Sequence, residues 1–173
     1  MQFTTTGQNA LANGIKVCVY GPAGAGKTKL IETSPRPLIL SAEGGTLSIA
    51  KANIPMIIVK SMKDMDEAYL WLRSSPEAKN FDTICLDSIS EIAEVCLSDE
   101  KAKTKDPRKA YGEMQDLVAV QIRLFRDLTL KNVYFSAKAA LKETPEGGKM
   151  YGASMPGQQL GQGLPFFFDT LTA

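Results

Sequence analysis

The chain has 173 residues, of which 44% are hydrophobic and 23% charged, and its net charge is +1. This length and composition are typical of one globular domain, and the small net charge restricts any nucleic-acid contact to a local patch. Histidine is absent, which excludes a Ser-His-Asp triad and every histidine-containing metal site. The three cysteines, Cys18, Cys85 and Cys96, lie in apolar runs without C-x-x-C spacing, so we expect buried, reduced thiols in a cytoplasmic protein.

The start of the chain predicts an arm followed by a strand, a loop and a helix. Residues 1–14 are polar and have no helix or strand period, so we predict a loose or partly paired N-terminal arm and one domain over residues 15–173. Residues 16–20 are a short β-rich run. The segment up to residue 33 is expected to be helical, and Ser34-Pro35-Arg36-Pro37 stops it.

Between this strand and helix lies the sequence GPAGAGKT, which fits the phosphate-loop pattern G-x-x-x-x-G-K-[ST]. The loop residues are Gly21, Pro22, Ala23, Gly24, Ala25, Gly26, Lys27 and Thr28. Glycines let successive backbone N–H groups point inward and cradle phosphate oxygens at the start of a helix. Lys27 would place its charge against the β- and γ-phosphates, and the Thr28 hydroxyl would bind Mg²⁺. We therefore predict that the chain binds a nucleoside triphosphate.

The following segments alternate between strands and helices. Strands are predicted at residues 38–41, 56–59, 82–87 and 132–137, and helices at 46–52, 61–72, 89–101 and 111–128. Because each strand is apolar on both faces, the pattern predicts an α/β fold with a mostly parallel sheet covered by helices on both sides. A ligand would then bind at the carboxyl ends of the strands.

Four later segments have less regular patterns. Residues 99–109 (DEKAKTKDPRK) favour a solvated helix end and loop, with a nucleic-acid or subunit contact as the alternative. Residues 142–151 predict two extended pieces joined by a turn, and the glycine- and glutamine-rich residues 152–163 a functional loop. Residues 166–171 predict a last strand, and because no closing helix follows we expect a C-terminally truncated core.

Two carboxylates are candidates for the chemistry of the loop. Asp87 ends an apolar strand, where a P-loop enzyme places the carboxylate that organises Mg²⁺. Ser88 follows it instead of a glutamate, so a water-activating base must come from elsewhere. Glu43 lies just past the second strand, on the same predicted edge. From the residues alone, a catalytic base and a plain loop glutamate are equally supported.

The segments GPAGAGKT, LILSAEGG and TICLDSISEIAE together resemble the RecA-type recombinase core. The segments RKAYG (108–112) and MPGQQLGQGLPFFFD (155–169) resemble more closely the phage-encoded ATP-binding proteins with a minimal RecA core, which are associated with single-strand annealing and recombination. This resemblance implies a RecA-like fold and a Mg²⁺-dependent ATP hydrolase. It also implies that Glu43 is the water-activating base, with Lys27 as a second catalytic residue.

The resemblance also implies further contacts and partners. Lys138 falls near the position that senses the γ-phosphate, where related proteins more usually carry histidine or glutamine. Lys142, Lys149 and Tyr151 would contact single-stranded DNA. The implied assembly is a head-to-tail homo-oligomer, a ring or a filament, in the host cytoplasm and away from membranes. A single-strand-binding protein is a further implied partner.

Two other functions fit the nucleotide loop. One is a small-molecule P-loop kinase, although the sequence has no arginine-rich lid segment to clamp a phosphoryl acceptor. The other is a binding module in which ATP drives assembly on DNA with little hydrolysis.

Overall fold

The computed structural model describes residues 3–143 and 147–173 and has a mostly parallel β-sheet at its centre. The described strands are β1 (Lys16–Gly21), β2 (Pro37–Ser41), β3 (Met56–Ile58), β4 (Thr83–Asp87), β5 (Asn132–Glu143), β6 (Lys149–Ser154) and β7 (Thr170–Thr172). Their order is β3-β2-β4-β5-β1-β7, and β6 pairs antiparallel with the second half of β5. The predicted α/β fold is therefore confirmed. Strand β5 lies between β1, which leads into the phosphate loop, and β4, which ends at Asp87.

The described helices are α1 (Thr6–Asn13), α2 (Lys27–Leu30), α3 (Met62–Ser74), α4 (Ile89–Lys103), α5 (Pro107–Arg126) and α6 (Gln158–Gly163). Short 3₁₀ segments occur at Ile31–Thr33, Leu47–Ala52, Pro76–Asn80 and Leu164–Phe167. Within residues 3–143 and 147–173, no helix combines the length and the hydrophobicity that crossing a lipid bilayer requires.

The sheet is covered on both faces, but unequally. On one face α3, α4 and α5 bury large side chains in one cluster with alternate strand residues, and Met65, Met114, Phe125 and Phe135 are fully buried members of it. On the other face, Ile31 and Ile49 of two 3₁₀ segments form a smaller cluster with strand residues Ile39, Cys85 and Tyr134. Strands buried on both faces explain the continuous apolar runs in the sequence.

Side-chain caps set the starts of the long helices. Ser61 and Asp64 form a capping box at α3, because the Ser61 hydroxyl accepts from the Asp64 N–H (3.4 Å) and the Asp64 carboxylate accepts from the Ser61 N–H (2.9 Å). At α5 the Asp106 carboxylate accepts from the Arg108 N–H (3.0 Å), and Pro107 occupies the first turn. The cap and the proline start α5 four residues earlier than the apolar periodicity predicts.

Two predictions for the first third of the chain were wrong. The N-terminal arm is not without regular structure, since Thr5 and Gln8 form a capping box that starts α1. The strand predicted to be buried at residues 56–59 is an edge strand. Met56 and Ile58 are exposed there because β3 pairs with β2 alone.

The last third differs more from the prediction. The predicted pair of extended pieces is present as β5 and β6, but the first is a continuation of the strand that starts at Asn132. The predicted loop at 152–163 contains α6, anchored by buried Leu160. The predicted strand at 166–171 is mostly wrong: Phe168 packs on Phe135 (4.7 Å between ring centroids), and strand pairing begins only at Thr170. The predicted Pro-Glu-Gly-Gly turn spans residues 145–148, and residues 145 and 146 of it lie outside the described residues.

The three cysteines are free and buried, as predicted. Their burial makes the folding stability depend on pH, and Cys18 is the example. Burial raises the pKa of the Cys18 thiol from 9.0 to about 12. Between these values the unfolded chain loses the thiol proton and the folded chain keeps it, so folding stability falls as the pH rises.

We expect Cys18→Ala to remove this loss. Relative to the variant, the wild-type free energy of unfolding should fall by about 1.4 kcal/mol between about pH 8 and about pH 10. Urea titrations of both proteins at the two pH values measure the difference. A difference that stays constant with pH would contradict the role of this thiol.

Candidate nucleotide-binding site

The phosphate loop connects β1 to α2 at the carboxyl edge of the sheet. It borders a cleft of about 500 Å³, whose other lining residues come from the segments after β2, β4 and the first half of β5. Gly24 and Gly26 have φ values of 79° and 87°, which favour glycine. A Cβ at Gly21 would lie 3.2 Å from the Ala25 methyl. The loop geometry therefore depends on glycine at these positions.

Lys27 closes over the loop from the first turn of α2. Its Nζ donates hydrogen bonds to the carbonyl oxygens of Gly21 and Pro22, both at 2.9 Å. The Tyr134 hydroxyl, on β5, donates to the Lys27 carbonyl at 2.9 Å. A neighbouring strand thus fixes the start of the helix, and the ammonium group lies at the mouth of the loop.

Asp87 lies at the end of β4 and is 7% exposed. The Thr28 hydroxyl donates to its Oδ2 at 2.8 Å, and the Ser136 hydroxyl donates to its Oδ1. The two predicted Mg²⁺ ligands, Thr28 and Asp87, are therefore in direct contact. Ser136 is fully buried, and the sequence motifs did not single it out. A serine among the aromatic and aliphatic residues 133–137 of β5 was the available signal.

Glu43 follows β2 and lies across the cleft from the loop. The Ser88 hydroxyl donates to Glu43 Oε1 at 2.7 Å, and the Ser41 hydroxyl donates to the Glu43 carbonyl oxygen. Ser88 is 2% exposed and is joined to Asp87 by a cis peptide bond. The residue that stands where many P-loop ATPases have their glutamate thus holds the carboxylate of Glu43.

Lys138 reaches the cleft from β5. Its Nζ lies 3.6 Å from Glu43 Oε1 and donates a hydrogen bond to the Glu91 carboxylate. This hydrogen bond raises the pKa of Lys138 above its ordinary value, and the charge of Glu43 adds to the effect. Glu91 is a further residue of this cluster, and the sequence motifs did not indicate it.

The predicted DNA-contacting residues lie outside this cleft, on the β5–β6 hairpin. Lys149 and Tyr151 are exposed on β6, and the Tyr151 carbonyl accepts from the Tyr20 hydroxyl at 3.4 Å. The backbone of Lys142 pairs with Met150, but its side chain lies outside the described part of the structure. The structure therefore brings the predicted nucleotide residues together and puts the hairpin residues on an extension of the Lys138 strand.

Comparison with known proteins agrees with this geometry. A family model described as an AAA domain matches residues 13–171, which is nearly the whole chain. No curated protein matches the chain. A phosphate loop after the first strand, on a mostly parallel sheet, is the arrangement that a nucleotide-binding ATPase requires. The chain belongs to the AAA-domain family of P-loop NTPases.

Proposed function

We propose that the protein is a Mg²⁺-dependent ATP hydrolase that acts on single-stranded DNA in recombination or single-strand annealing, with a RecA-like core of the kind encoded by phages. The observation that carries the proposal is the convergence of Thr28, Asp87, Glu43 and Lys138 on the cleft of the phosphate loop. These side chains come from four separate segments of the chain, so their meeting at one cleft supports a catalytic site rather than a glycine-rich turn.

The donor set fits Mg²⁺ and a triphosphate. Thr28 Oγ1 and Asp87 Oδ2 are hard oxygen donors in contact at the loop, and Mg²⁺ would complete its coordination with phosphate oxygens and water. Mg²⁺ bound there would neutralise charge on the phosphates. Lys27 lies where it can bind β- and γ-phosphate oxygens. These residues bind and orient the nucleotide.

The proposed hydrolysis uses Glu43 as the base. Its carboxylate would accept a proton from the water that attacks the γ-phosphorus, and ADP and phosphate would be the products. The hydrogen bond from Ser88 holds one carboxylate oxygen and leaves the other available to water. Lys138 would provide positive charge on the same wall of the cleft.

Exposed features at the same end of the molecule support the DNA part of the proposal. The hairpin presents Leu141, Met150 and Tyr151 at exposures of 53%, 55% and 63%, and Lys149 adds a cation. An exposed ring next to a cation suits contact with the bases and phosphates of a single strand.

The α4–α5 connection is a second basic segment. Its cations are exposed: Lys101, Lys103, Lys105, Arg108 and Lys109. Lys103 is paired with Glu100 at 2.6 Å and Lys101 lies over the Tyr111 ring. This concentration of exposed cations favours the nucleic-acid interpretation of the charged segment.

A head-to-tail homo-oligomer fits the charge of the cleft. The cations that line the described cleft are Lys27, Lys29 and Lys138, and phosphoryl-transfer sites often gain a further cation from another subunit. A ring or filament on DNA would provide it, in the host cytoplasm and with a single-strand-binding protein as a further partner.

The test is ATP turnover with and without single-stranded DNA, at two salt concentrations. We expect stimulation by DNA that weakens with salt, because phosphate contacts release counterions. DNA binding without turnover would instead support the assembly module. An ATP turnover rate that DNA does not change, together with no DNA binding in a shift assay, would contradict the proposal and favour a small-molecule kinase.

A further inference from the structure

Glu91 contacts the wall of the cleft without belonging to any predicted motif. It occupies the third position of α4, where a carboxylate is favoured by the helix N-terminus. Its N–H donates to the Ser88 hydroxyl at 3.3 Å, and its side chain accepts a hydrogen bond from Lys138. The backbone of Glu91 is therefore held by Ser88, and its carboxylate is paired with Lys138.

Lys138 lies between two carboxylates, and its ammonium group is closer to one of them than to the other. It forms the hydrogen bond with Glu91, whereas Glu43 Oε1 is 3.6 Å away. Glu43 itself accepts from Ser88 at 2.7 Å. The ammonium group is thus held closer to the α4 side, and Glu43 has a short hydrogen bond from a neutral hydroxyl and a longer ion pair with the cation.

We propose that Glu91 is a positioning residue that holds Lys138 on the α4 side and so limits its pairing with Glu43, which keeps Glu43 able to accept a proton from water. The inference rests on the proposed hydrolysis. A carboxylate that pairs closely with an ammonium group is a weaker base than one that pairs with it less closely. Without Glu91, the nearest carboxylate for Lys138 is Glu43. Glu91 acts through Lys138 and is not among the described residues that line the cleft.

The pairing can be tested without any activity measurement. A carbodiimide activates a carboxyl group, and a contacting amine then forms an amide with it, so peptide mass spectrometry reports which carboxylate Lys138 contacts. We expect the Lys138–Glu91 cross-link to predominate in the wild type and the Lys138–Glu43 cross-link to increase several-fold in Glu91→Gln. Glu94→Gln, the same change at an exposed position on the same helix, should keep the wild-type ratio of the two cross-links. An unchanged yield of the Lys138–Glu43 cross-link in Glu91→Gln would overturn the proposal.

Kinetics test the consequence for Glu43. We expect Glu91→Gln to lower kcat by about fivefold with little change in KM, a modest factor because the ion pair is partly exposed. In a Lys138→Gln background, Glu91→Gln should have no further effect, since the interfering cation is gone. A merely structural role would lower kcat in both backgrounds.

Two other outcomes separate this proposal from the proposed function. A lower KM with unchanged kcat would mean that Glu91 competes with nucleotide for Lys138, which would overturn the positioning role. If the cross-link moves to Glu43 but neither the wild type nor the variant hydrolyses ATP, the pairing holds and the proposed hydrolysis is wrong.

Discussion

Lys27→Ala is expected to abolish measurable ATP binding, a loss of at least about a hundredfold or about 2.7 kcal/mol. The ammonium group already lies at the loop, on the carbonyl oxygens of Gly21 and Pro22. A bound triphosphate offers it more favourable, anionic partners. Alanine removes this charge from the place where the phosphates carry the highest negative charge.

Calorimetric titration with ATP measures the effect, and a matched variant controls for the lost lysine. Lys63→Ala makes the same change in an exposed ion pair on α3, where Lys63 Nζ lies 3.4 Å from Glu67, and it should bind as the wild type does. Thermal melts of both variants check that the fold is intact. Wild-type affinity in a folded Lys27→Ala protein would rule out the phosphate-loop assignment.

The fold was predictable from the sequence where local patterns decide it. Three local patterns each predict their own strand or helix from neighbouring residues alone. They are the run before Gly21, the capping pair Ser61–Asp64 and the apolar stripe of α5. The last fifth of the chain, after Lys138, was predicted less well, because its structure depends on tertiary contacts. Phe168 packs onto Phe135 instead of pairing as a strand, and β5 extends past the sheet only because β6 pairs with it.

The site was predictable to the level of individual motifs, and the contacts between motifs were not. The sequence proposed Glu43 and Asp87 because each follows a strand, and parallel strands end at one edge. It did not indicate that Ser88 would hold Glu43, or that Ser136 would hold Asp87, since these partners are 45 and 49 residues apart. The Lys138–Glu91 pair was missed for the same reason.

Glu43→Gln is expected to keep nucleotide binding and to lower hydrolysis at least about tenfold, which is about 1.4 kcal/mol of barrier. Glutamine keeps the size of the side chain and an oxygen that can accept the Ser88 hydrogen bond, but it cannot take a proton from water. The change therefore removes the base and leaves the geometry.

Turnover and ATP affinity must be measured on the same preparations, because the prediction separates them. Glu67→Gln, in the exposed pair on α3, is the control and should retain wild-type turnover. Loss of affinity in Glu43→Gln would mean that the carboxylate helps to bind the nucleotide. Unchanged turnover would remove Glu43 from the mechanism, and the hydroxyl of Ser88 would then hold a carboxylate that has no part in the reaction.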